Sequence, residues 1–359
     1  VWRFKDPMQA ERALEQGHCD LVGMVRGQIA DPDLVAKARA ARAGSIRLCL
    51  SCNQECVGRM GLNRWLGCIE NPHAGREALD ATRPRAPRRR PRRVLVVGAG
   101  PAGLQAAISA ARGGHEVTVL ERLGETGGQL RLAASVPNRA ELGDLVRNQM
   151  QECRELTVRI ELGVTADASV VLDGDYESVV LATGSVPAAP WWVDRSAGVE
   201  VADVTEVLTG SASPTGKVLV VDELGFHQAT SVAELLADRG CSVEIVTPAM
   251  VVGQDLGITL DMEGFQLRAA AREIVQSTDR VVMGMSDGAV RILHHPTGRD
   301  EERRVDWVVL AVPPKAEASL YFVLSSAAPA LAIHRVGDCV APRRAHAAVI
   351  EGDRIGAAL

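Results

Sequence analysis

The sequence predicts an α/β protein built on a doubly wound two-domain module, one nucleotide-binding type of domain inserted in another. Three observations carry this. Residues 94–122, VLVVGAGPAGLQAAISAARGGHEVTVLER, read as strand, Gly-rich turn, helix and strand. Residues 216–247, GKVLVVDELGFHQATSVAELLADRGCSVEIVT, repeat that design weakly. A last apolar run, DWVVLAVPP, leads to IHRVGDCVAPRRAHAAVIEGDRIGAAL, which closes the chain back on the first unit. Strands alternating with helices in this order build parallel sheets covered on both faces.

From the N-terminus, DPMQAERALEQG reads as a helix, CDLVGMVRG as a short strand and DPDLVAKARAARAG as a helix, so 1–48 alternate between α and β. A cysteine-rich segment occupies 49–75. Residues 76–93, with REALDATRPRAPRRRPRR, read as a solvated Arg/Pro-rich linker, because Pro prevents regular structure and like charges extend the chain. The first nucleotide domain is expected over 94–215 and 305–359, with YESVVLATGSVP as a further strand, and the inserted one over 216–304.

The 359 residues are enough for two or three domains, and their charge of 40 − 45 = −5 argues against nucleic-acid or anionic-membrane partners. No apolar run is long enough to span a membrane, and VWRFKDPMQAER lacks the apolar stretch of a signal peptide. A cytoplasmic protein is expected, in which clustered cysteines bind metal or do redox work rather than form disulfides. The start without Met, close to a strand, suggests a chain that lacks an N-terminal portion.

Gly98, Gly100 and Gly103 give G-x-G-x-x-G between strand and helix, and Glu121 ends the second strand eighteen residues after Gly103. Gly98 permits the tight turn, Gly100 lets backbone approach a pyrophosphate, and Gly103 lets helix pack on strand. The free N–H groups of the helix then face the anion. Glu121 suits ribose hydroxyls and would repel a 2′-phosphate. The motif alone does not separate FAD from NAD. In the second unit the equivalent positions are Asp222, Leu224 and His227. A carboxylate there repels a diphosphate and Leu224 blocks the backbone approach, so tight NAD(P)H binding is not expected.

Cys49, Cys52, Cys56 and Cys68 follow C-x2-C-x3-C-x11-C. Soft thiolates select zinc, Cu(I) or iron–sulfur clusters. Structural zinc usually takes two close pairs, whereas three crowded cysteines and a fourth apart favour one loop wrapping a cuboidal cluster. Cys19, Cys153, Cys241 and Cys339 are scattered and read as small core residues.

These stretches, with DLVGMVRGQIADPDL, IRLCLSCNQECVGR, CIENPHAGRE, ETGGQL, LATGSVP and GDCVAPR, run in the order found in the old yellow enzyme-type iron–sulfur flavoproteins. The chain resembles that family, the group of 2,4-dienoyl-CoA reductase and the trimethylamine and histamine dehydrogenases, over nearly its whole length. The resemblance implies that 1–48 are the last βα units of a (β/α)8 barrel holding FMN, with Gly23, Met24 and Arg26 at the FMN phosphate. It implies that the four cysteines ligate a 4Fe–4S cluster, and that FAD, or ADP in its place, lies along Gly98, Gly100, Pro101, Ala102, Gly103, Glu121, Arg122, Gly128, Gln129, Thr183, Gly184, Gly337 and Asp338, with Asp338 on the ribityl chain. Most of the barrel, with the family's catalytic acid, has no counterpart here, so no catalytic residue is named. The altered glycine pattern at Asp222 resembles the amine dehydrogenases, which pass electrons from FMN through the cluster to an acceptor such as an electron-transfer flavoprotein. The alternatives are an NAD(P)H-dependent enoyl or dienoyl reductase and a barrel-less electron-transfer or scaffold subunit. The remaining barrel would come from another subunit or a homo-oligomer.

Overall fold

The computed structural model describes residues 3–82 and 90–359. The chain divides into two compact units. One comprises the chain up to Ala134 with Ala140–Ser185 and Ala316–Leu359, the other Ser135–Arg139 with Val186–Lys315.

The first unit holds a five-stranded parallel sheet in the order Ala332–Arg335, Ser178–Leu181, Arg93–Val97, Glu116–Glu121, Arg159–Leu162. Its central strand reads RVLVV because both faces are covered. Val94 and Val96 pack under the helix Pro101–Arg112, and Leu95 and Val97 pack with Val171, Val179 and Leu324. The C-terminal helix Ala345–Ala358 lies against Pro101–Arg112 at backbone contact. A Cβ on Gly352 would come within 2.3 Å of the Ala102 carbonyl, and one on Gly356 within 2.3 Å of that of Ala106. The chain leaves Arg93–Val97 toward one side of the sheet and later returns to its other side. The loops at the ends of Arg93–Val97 and Ser178–Leu181 therefore flank a crevice at the topological switch point.

The helix Pro7–Glu15 forms as expected, with Asp6 accepting the Met8 N–H at 2.9 Å and Pro in the first turn. The strand expected in CDLVGMVRG does not form. Residues 18–24 are irregular and Val25–Ala30 is helical. A parallel strand takes its hydrogen bonds from neighbours, and no strand among the described residues before Arg93 supplies them. Its apolar side chains stand uncovered, Leu21 being 86% and Val25 72% exposed. The next expected helix is confined to Leu34–Arg39. Within 1–48 the described residues thus hold the helices Pro7–Glu15, Val25–Ala30 and Leu34–Arg39 but not the expected strand. Within the expected linker, Glu77–Thr82 is helical, and 83–89 lie outside the described residues.

The second unit holds another parallel sheet, ordered Glu200–Asp203, Trp307–Ala311, Lys217–Asp222, Ser242–Val246, Val275–Ser277, and an antiparallel meander of Arg280–Ser286, Ala289–His294 and Arg299–Arg304. The first meander hairpin turns at Asp287 and Gly288, both with positive φ, as a two-residue hairpin that matches strand twist requires. The strand Trp307–Ala311, expected in the first domain, pairs between Glu200–Asp203 and Lys217–Asp222. The inserted unit therefore extends over 186–315 rather than 216–304. A short apolar run is equally at home in either sheet, so its pattern does not reveal its partners. No described helix is long and apolar enough to cross a membrane.

Candidate functional site

The Gly-rich turn is built by contact. A Cβ on Gly98, whose φ is +103°, would lie 2.4 Å from the Ala182 carbonyl, and one on Gly103 1.9 Å from that of Gly98. At Gly100 the reverse holds, because nothing lies within 4 Å of where its Cβ would be. Gly100 precedes Pro101–Arg112 with no side-chain cap, so the first N–H groups of a twelve-residue helix have no side-chain acceptor. A Cβ on Gly128 would lie 3.4 Å from the Gly100 Cα, and the Gly127 N–H donates to the Ala99 carbonyl at 2.8 Å. Buried Glu121 accepts the Ala99 N–H at 2.8 Å and the Leu123 N–H at 2.9 Å, one on each oxygen. Each oxygen keeps a second lone pair for a ribose hydroxyl. Arg122 is exposed.

Further along the crevice Gln129 donates to the Ser185 hydroxyl at 2.6 Å, and Ser185 to Asp338 at 3.3 Å. Burial pushes the Asp338 carboxyl up, against the Arg343 N–H that it accepts at 3.1 Å. The Gly337 N–H donates to Glu351 at 2.9 Å. Ala102 packs against Gly337, whose Cβ would meet it at 2.7 Å. Thr183 donates to the Glu317 carbonyl at 2.5 Å, and the Glu317 N–H to the Gly184 carbonyl at 3.0 Å. Both residues thus brace the loop. Glu351 carries no motif, and Ser185 lies within LATGSVP without a role assigned to it from the sequence.

The four cysteines line one pocket with Arg26, Asn53 and Glu70. Left-handed backbone at Ser51 and Asn53 coils the chain there, and Leu50 and Ile69 anchor it on buried Leu145 and Val349. The Ser51 N–H donates to the Cys49 sulfur at 3.4 Å. Burial pushes the Cys52 and Cys68 thiols up to about 12 and also raises Cys49. Such thiols ionise when a metal's charge compensates them. Among the described residues no three His, Cys, Asp or Glu converge on a single ion. One zinc needs its donors around one point. A cuboidal cluster gives each thiolate its own iron, and the four cysteines on one pocket supply that number. The buried Ser51 hydroxyl also has no partner, leaving a donor for a sulfide. This donor set fits a cluster.

Behind the pocket, Asn148 and Glu152 lie outside any motif, while Arg47 lies within IRLCLSCNQECVGR. The buried Arg47 guanidinium pairs with Glu152 through both carboxylate oxygens and donates to the Glu70 carbonyl at 2.5 Å. Asn148 donates to the Glu70 carboxyl at 2.7 Å. Burial pushes that carboxyl up to about 8, against the opposing pull of Arg47 and Asn148. Arg26, expected at an FMN phosphate, donates to Asn53 at 2.7 Å. Gly23 is exposed, a Cβ on it would meet nothing within 4 Å, and Met24 precedes the six-residue helix Val25–Ala30.

Residues 92–248 match the model of the pyridine nucleotide-disulphide oxidoreductase family. N,N-dimethylglycine/sarcosine dehydrogenase of Chromohalobacter salexigens is 35% identical over 98% of this chain and 56% of its own length. Histamine dehydrogenase from Rhizobium sp. 4-9 superposes with a TM-score of 0.92 at 25% identity, over 99% of this chain and 57% of that one. A 2-naphthoyl-CoA reductase superposes at 0.87 with 27% identity, over 99% and 53%. The chain belongs to the 2,4-dienoyl-CoA reductase group. It spans about half the length of the curated relatives it matches.

In the second unit the equivalent turn holds Asp222. Fully buried, it accepts the N–H groups of Leu224 at 3.1 Å, Gly225 at 2.8 Å and Gly253 at 3.3 Å. The carboxylate thus satisfies two N–H groups of its own turn and one of the Gly253 loop, and the helix His227–Asp238 follows without a side-chain cap. His227 opens the following helix and lies 3.4 Å from Asp261.

Proposed function

We propose that this chain is the electron-transfer portion of a flavin-dependent iron–sulfur oxidoreductase of the amine dehydrogenase kind. In this reading Cys49, Cys52, Cys56 and Cys68 hold a 4Fe–4S cluster. Gly98, Gly100, Gly103 and Glu121 hold the ADP moiety of FAD, or ADP itself. Electrons pass from an FMN site that the described residues do not complete to an external acceptor such as an electron-transfer flavoprotein. When bound, such a cluster supplies one-electron transfer. The chain's own residues supply the rest. Leu50 and Ile69 keep water from the inner wall of the pocket, the Ser51 N–H bonds to a ligand sulfur, and Glu121 fixes the turn that receives the diphosphate. A reducing, cytoplasmic setting accords with eight free cysteines.

The observation that carries the amine dehydrogenase side of the reading is Asp222. A turn whose N–H groups already bind a carboxylate leaves NADH or NADPH no diphosphate site. The likeness to a 2-naphthoyl-CoA reductase favours the alternative, an NAD(P)H-dependent enoyl reductase. Anaerobic absorbance titration separates them. The proposal expects no bleaching of the purified protein by NADH or NADPH at micromolar concentration. Bleaching by either establishes the reductase reading instead.

A further inference from the structure

We infer that the helix Gly143–Glu155 couples the cysteine pocket to the phosphate-binding turn, with Asn148 as a positioning residue for the pocket and Gln149 as its link to the turn. The coupling presupposes the reading above, a cluster in the pocket and a nucleotide on the turn.

The two residues are consecutive and both buried, Asn148 at 3% and Gln149 at 2% exposure. The Asn148 amide donates to the Leu48 carbonyl at 3.4 Å and the Glu70 carboxyl at 2.7 Å. It thereby ties the residue before Cys49 to the residue two beyond Cys68, the two ends of the cysteine segment. The Gln149 amide donates to the Pro101 carbonyl at 3.0 Å, in the first turn of the helix whose N–H groups face the diphosphate. One turn on, Glu152 repeats the bridge between Arg47, two residues before Cys49, and Arg112, at the far end of that same helix. One helix thus holds both ends of the cysteine segment and both ends of the phosphate-binding helix. A diphosphate that orders Pro101–Arg112 orders the shared helix with it, so the pocket then closes on its metal at smaller entropic cost. By linkage, an assembled cluster tightens nucleotide binding by the same factor.

The test uses the full purified chain. Iron, sulfide and released-ligand mass spectrometry come first, and a protein lacking either occupant overturns the reading and the coupling with it. Where both are present, the nucleotide is stripped and ADP added back as the probe. Iron release to a chromogenic chelator is timed, and the electron paramagnetic resonance spectrum of the reduced protein recorded, with and without ADP. The coupling expects ADP to slow iron release at least about fivefold, the low end of coupling between sites, and to shift the spectrum. Equal release rates and identical spectra in the wild-type protein overturn it, whatever any variant does. Gln149→Met is expected to keep its iron and bind ADP yet lose the ADP dependence. A purely structural Gln149 would instead leave that dependence intact in Gln149→Met, and that result contradicts the assignment.

Discussion

Asp222 shows how one side chain decides what a nucleotide-type turn does. Removing its carboxylate leaves the buried Gly253 N–H and the half-buried N–H groups of Leu224 and Gly225 without that acceptor, while Leu224 still covers the approach. Asp222→Ala should therefore lose about 1–3 kcal/mol in urea unfolding and still fail to bind NADH in calorimetry. Nicotinamide binding by that variant at low micromolar concentration would show that the carboxylate alone closes the site. Arg47 makes the opposite case, a buried cation shared by Glu152 and the Glu70 carbonyl. Arg47→Met leaves Glu152 buried with Arg112 as its remaining partner, and about 3 kcal/mol of destabilisation is expected. Asp261 gives the pH dependence. Burial opposes its ionisation, but His227, Arg139 and Thr259 together bring its pKa down to about 2. A carboxylate depressed on folding contributes stability above its unfolded pKa and loses it as pH falls through the folded one. Calorimetry should find Asp261→Asn less stable than wild type at pH 6, with the gap closing between pH 4 and 2. A constant gap would mean that the carboxylate's charge is not what stabilises.

At the scale of elements, the parallel strands were readable because burial on both faces leaves continuous runs such as RVLVV and KVLVV. The glycine turn was readable because only glycine satisfies the contacts at Gly98 and Gly103. CDLVGMVRG misled for the same reason, since an apolar run states that it wants cover and not whether a neighbouring strand is there. The partners of Trp307–Ala311 were equally invisible. At the candidate sites, cysteine spacing exposed the pocket's lining, but Arg47, Asn148 and Ser185 act through partners distant in sequence that no local pattern names. The helix packing of Pro101–Arg112 on Ala345–Ala358 is a further testable element. Gly356→Leu places atoms on the Ala106 carbonyl, and should lower the melting temperature and the nucleotide content together. Unchanged content at lowered stability would separate that packing from the site. Cysteine 49–68 holds only Val57–Gly61 as α-helix, so Cys52→Ser should raise amide exchange across this segment as the metal is lost. Unchanged exchange would mean that the loop stands without it.

For the whole molecule, two parallel-sheet units of similar design have been put to different use. The first keeps an open helix N-terminus at Gly100 beside a cysteine pocket, and the second has closed its own turn with Asp222. In the proposed reading, nucleotide and metal both occupy the first unit. Chemical analysis of the purified full chain tests this most directly, as iron, acid-labile sulfide, zinc and released nucleotide per chain. The account predicts about four iron and four sulfide, no zinc, and one adenine nucleotide, as FAD or ADP. One zinc with neither iron nor sulfide, or a chain free of adenine nucleotide, would contradict it.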